Sequence, residues 1–69
     1  MNREFWQEFY ALIENATEES LLSHREYLVS LYAKLKSSDL RPEIKRAIRL
    51  IDEEMLARVE SMAARRVER

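Results

Sequence analysis

There is no glycine and no cysteine in this chain of 69 residues, and only one proline and one histidine. Each scarcity closes off a class of structure or chemistry. Without glycine, positive φ is costly at every residue, so tight hairpin turns and bulges are disfavoured and helices joined by short turns are what remain. Glycine-rich phosphate loops and the strained elbow that exposes a nucleophilic serine are closed off with them. Without cysteine there are neither disulfides nor thiolate metal ligands. A single histidine, His24, cannot supply a multi-histidine zinc site. Long apolar runs are missing too: no stretch approaches the roughly 20 apolar residues of a membrane span. The opening Met1-Asn2-Arg3-Glu4-Phe5 leads into acids rather than an apolar run, unlike a secretory leader. A cytoplasmic protein with no membrane partner is the expectation by elimination. In that setting the sequon Asn15-Ala16-Thr17 carries no weight as a glycosylation site.

What is present is a mixture of apolar and charged residues, 46% and 36% of the chain, too apolar for disorder. Residues 1–69 form a single helical domain by length. A chain this short buries only about 60% of the surface its unfolded form exposes. Chains of this size are usually stapled by disulfides, a metal or a partner, and the first two are closed off here. Association is left, and a twofold homodimer is its commonest form. Charge is unevenly placed. Residues 1–23 hold Arg3 against Glu4, Glu8, Glu14, Glu18 and Glu19, whereas residues 40–69 hold eight bases against six acids.

Apolar spacing predicts helices over roughly 3–15, 18–36 and 42–65. In the first, Phe5, Phe9, Leu12 and Ala16 recur at helical spacing, and so do Trp6, Tyr10 and Ile13. Thr17 suits an N-cap, and Glu18 and Glu19 fall where the helix dipole favours acids. In the second, Leu21, Leu28 and Leu35 are seven apart, with His24 and Leu31 between them. Two heptads are too few for a free-standing coiled coil, so a bundle helix is expected. The connection is Ser37-Ser38-Asp39-Leu40-Arg41-Pro42, where Asp39 or Arg41 can cap the third helix and Asp39 is favoured. That helix carries Ile44, Ile48, Ile51, Met55, Val59 and Met62 in its stripe and pairs Glu54 with Arg58 at i,i+4. It outruns the second helix, so its end needs cover from the first helix or from a second chain.

The fold expected is therefore all-α: a short aromatic N-terminal helix and a long antiparallel helical hairpin, dimerised into a helical bundle. The core or dimer positions are Phe5, Phe9, Leu21, Leu28, Leu35, Ile48, Ile51 and Met55, joined by Leu12, Leu31, Ile44, Val59 and Met62.

Catalysis finds no foothold. His24 occupies a core-type position among leucines, where packing explains it. A variant of that reading has it meet its own copy across a twofold axis and makes assembly pH-sensitive. Glu18/Glu19 and Glu53/Glu54 are sequence neighbours whose side chains diverge on a helix. A carboxylate di-metal site needs Glu-x-x-His, and Leu21 stands three before His24. No enzyme, metal or cofactor is expected. Two binding classes remain. Arg41, Lys45, Arg46 and Arg49 cluster at the start of the third helix and can lie along nucleic-acid phosphates. Glu43, Asp52 and Glu53 interrupt that patch, and the sequence pI of about 5.8 is not that of a dedicated binder. Aromatics are the preferred anchors of protein interfaces, and Trp6, Tyr10, Tyr27 and Tyr32 are the candidates. The favoured reading is a small non-catalytic regulator or adaptor that binds a partner protein as a homodimer. Whether the aromatic helix is spent on the core or faces the partner stays open at this point.

Overall fold

A computed structural model describes residues 2–36 and 39–67, with side chains as far as Met62. The described residues are all-α, with helices α1 (Arg3–Asn15), α2 (Glu18–Lys34) and α3 (Arg41–Val67). Capping chemistry sets the starts of the first two. The Asn2 side chain accepts from the Phe5 N–H at 2.9 Å, and Thr17 Oγ1 accepts from the Ser20 N–H at 3.1 Å. Thr17 has the role expected of it; Asn2 is the same device one helix earlier. The third start differs from expectation. α3 begins at Arg41, so the flanking residue is Leu40, whose carbonyl accepts from the Ile44 N–H at 2.9 Å. Asp39 lies one residue further out, in the turn. Ser37 and Ser38 of the expected connection lie outside the described residues.

Helix ends need another solution, because no described residue has positive φ. Left-handed caps, the usual glycine device, are absent among them. Ala16 ends α1 and Leu35 ends α2, each with negative φ. Arginines from α3 reach the carbonyls instead. The Arg58 guanidinium donates to the Ile13 carbonyl at 3.0 Å, in the last turn of α1. Arg41 donates to the Tyr32 carbonyl at 3.1 Å and to the Leu35 carbonyl. Positive charge at these two C-termini also suits the helix dipoles. α2 therefore stops at Lys34, two residues short of the expected end, where Leu35 turns out and Arg41 takes over.

Side-chain pairs fix the directions. Arg25 meets Asp52 in mid-helix and Arg41 meets Leu35 near the connection, so α2 and α3 run side by side in opposite senses. Arg46 sits over Trp6 and Arg58 reaches Ile13, so α1 runs along α3 in the same sense. Six residues are buried among those described: Phe9, Ile13, Leu21, Ile44, Ala47 and Ile51. The expected core positions Phe5, Leu28, Leu31, Leu35, Ile48 and Met55 are half-buried. Three others are not core residues of the single chain: Leu12, Val59 and Met62 are 43%, 59% and 51% exposed. Successive helical residues turn by 100°, which places Ile13 only 40° round from Phe9. The buried line of α1 thus passes between the two stripes that spacing suggests, leaving Tyr10 and Leu12 on opposite edges. At the far end of α3, Val59 and Met62 are left largely open.

Candidate protein-interaction surface

The aromatic residues of α1 form a single cluster. Phe5 stacks on Phe9 with centroids 5.8 Å apart, and Trp6 meets both edge-on, at 5.2 and 5.8 Å. The Arg46 guanidinium lies 4.6 Å from the Trp6 ring centroid. Phe5 and Trp6 pack against the buried core. Trp6 is therefore half-buried, with neighbours already on two sides. Tyr32 is similarly occupied: the Arg41 guanidinium stands 4.0 Å from its ring centroid. The four aromatic candidates divide into two pairs. Trp6 and Tyr32 have internal partners, whereas Tyr10 and Tyr27 stand out from the molecule at 39% and 66% exposure. Tyr27 lies on the edge of α2 turned away from Leu22 and Val29, some 140° round from Leu22 by helical arithmetic.

The basic candidates divide in the same way. Arg41 closes α2 and Arg46, though exposed, lies over Trp6, whereas Lys45 and Arg49 are exposed on α3. The four bases adjacent in sequence thus differ in what engages them, two lying over rings and two standing open. Both committed arginines use the planar guanidinium, which stacks on a ring and donates in a fork, as lysine cannot. That chemistry was the signal available in the sequence for their roles, but their targets lie on other helices. Arg58 was paired with Glu54 by spacing, and does bind it at 2.9 Å. Its second contact, to Ile13, spans 45 residues of chain.

Opposite flanks of α3 have different fates. Ala47, Leu50, Glu54 and Arg58 line the flank on which α1 lies, where an open depression is bounded by Tyr10, Ile13, Glu14, Leu50, Glu53, Glu54 and Ala57. A second depression beside Phe5, Glu8, Phe9 and Leu12 follows the other edge of α1. Their volumes, about 210 and 260 Å³, fall below the roughly 300 Å³ at which small-molecule pockets begin. The far flank of α3 carries Lys45, Arg49, Asp52, Leu56 and Val59 at alternating four- and three-residue steps, all exposed. Across the seam, α2 presents Leu22 and Val29, 47% and 41% exposed, on either side of Arg25. Arg25 donates to both Asp52 oxygens, at 2.7 and 3.4 Å. That hydrogen bond, reinforced by the Asp52 charge, lifts the guanidinium still further above its ordinary high pKa. The ion pair is half-exposed, so it aligns the two helices more than it stabilises them.

His24 is half-buried on α2. Among the described residues no group of three or more His, Asp or Glu side chains is placed to hold a metal ion. None of their helices is long and apolar enough to cross a membrane. Compared with protein-family models, curated proteins and solved structures, the chain finds no match.

Proposed function

We propose that the protein is a small non-catalytic interaction module: a homodimeric regulator or adaptor, in the cytoplasm, that binds and modulates a partner protein. One observation carries this reading. The chain exposes 5674 Å², against about 4,600 Å² for a compact monomer of its mass. The excess of about 1,100 Å² is more than the roughly 800 Å² each partner gives up in a standard interface. Its radius of gyration tells the same story, 14.1 Å where about 11 Å suits a compact chain of this length. Much of the exposed surface is apolar: Tyr10, Leu12, Leu22, Tyr27, Val29, Leu56, Val59 and Met62 are among the large side chains left open.

Tyr10 and Tyr27 are the residues this reading assigns to the partner. Each can bury a ring while its hydroxyl finds a hydrogen bond. Trp6 and Tyr32 serve instead to hold α1 and the α2 end in place. The test uses tagged chain in an extract of the source cell. Wild type should retain a protein in stoichiometric amount, and the Tyr10→Ala/Tyr27→Ala variant should lose at least about tenfold of that retention with its helicity intact. Equal retention by both would overturn the assignment. Binding to random RNA that falls steeply between low and moderate salt, and disappears in Lys45→Glu/Arg49→Glu, would replace it with the nucleic-acid alternative.

A further inference from the structure

The open face formed by α2 and α3 has the properties of a self-complementary surface. It lies on the side of α3 away from α1. Leu22, Leu56 and Val59 occupy one end of it and Val29 the other, with the Arg25–Asp52 pair between. Its charges are polarised: Lys45 and Arg49 stand toward the connection, Glu18 and Glu60 toward the opposite end, all exposed. A twofold interface must bring residue i of one copy to residue j of the other and j back to i. A face with bases at one end, acids at the other and an ion pair at its centre meets that demand when two copies lie end for end.

We propose that a second copy of this chain covers this face, turned end for end about a twofold axis passing beside the Arg25–Asp52 pair. Leu22 of each copy then meets Val29 of the other, and Leu56 packs under the methylene stem of the other copy's Arg49. Lys45 and Arg49 face the acids at the opposite end. The alternative, with both copies pointing the same way, sets Lys45 and Arg49 beside their own duplicates, and like charges across an interface are costly. The excess exposed area is what such an interface needs. In this arrangement His24, on the other edge of α2, stays away from the axis, and Tyr10 and Tyr27 remain open, so the dimer and a partner are held together. The inference rests on the dimer proposed above and specifies its face and sense.

The chain lacks cysteine, so thiols placed on this face report on it alone. Leu22→Cys and Val29→Cys change exposed residues, and each variant is made separately. Under mild oxidation an equimolar mixture should form cross-linked dimer at least about tenfold faster than either variant alone, because only 22-to-29 pairs are opposed. Leu56→Asp, at a site 58% exposed in the single chain, should keep its helicity. It enters the interface twice and should weaken the dimer at least about 100-fold by sedimentation. A mixture that cross-links no faster than its parts overturns the end-for-end sense. A Leu56→Asp dimer as tight as wild type overturns the face while leaving the dimer standing. Wild type that sediments as a single chain throughout removes the dimer itself, and retention of a partner protein through Tyr10 and Tyr27 is then judged separately.

Discussion

Leu21→Ala should cost about 3–5 kcal/mol, enough to bring a domain of this size to the edge of unfolding. Leu21 has no exposure at all and belongs to the same buried cluster as Phe9, Ile13, Ala47 and Ile51. With six buried residues among those described, neighbours cannot repack around the void, so the cavity cost adds to the lost transfer energy. Total stability for 69 residues is of the order of 3.5–10 kcal/mol, so the loss consumes much or all of it. The measurement is urea unfolding followed by far-UV circular dichroism at fixed protein concentration. Leu22→Ala is the matched control. It is the next residue along, 47% exposed, and should change the single chain by no more than about 0.5 kcal/mol while weakening self-association. Equal destabilisation by both substitutions would mean that the division of α2 into a buried and an open edge is wrong.

Phe9→Ala should release α1 and leave the α2/α3 pair in place. Phe9 is the ring against which both Phe5 and Trp6 rest, and it is 8% exposed. Its loss should cost about 3–5 kcal/mol. The remaining ties of α1 are one buried side chain, Ile13, and the contacts of Arg58 with the Ile13 carbonyl and of Arg46 with Trp6, too few to hold the helix in place. A freed helix of 13 residues is too short to persist alone in water. Helical signal equivalent to those residues should disappear, and the emission of Trp6, the chain's only tryptophan, should shift to the red as the ring enters water. Arg25–Asp52 and the contacts of Leu21, Ile44 and Ile51 should hold α2 on α3. Unchanged Trp6 emission would show that Phe9 does not anchor α1.

Much of this architecture was legible in the residues. The absence of glycine pointed to helices, the Thr17 cap marked the start of α2, and α1 begins and ends where spacing places it. Local chemistry decides those features, so a local reading finds them. Features decided by tertiary contact were not legible. Arg41 and Arg58 take the place of glycine caps by reaching carbonyls on other helices, and nothing near them in sequence announces those targets. The burial of Ile13 and the exposure of Leu12 follow from which side of α1 meets α3, a choice that two overlapping apolar stripes leave open. The internal contacts of the basic cluster were not legible for a related reason. Arg41 and Arg46 are adjacent to Lys45 and Arg49 in the chain but are occupied by Tyr32 and Trp6 in the fold.

Thermal unfolding over a hundredfold range of protein concentration bears most directly on the idea that one copy leaves too much apolar surface in water. If folding and pairing are linked, the midpoint rises with concentration, because mass action favours the associated state. A midpoint that stays put across the range, from a fully helical species of 8.3 kDa, would mean that the solitary chain tolerates the surface it exposes.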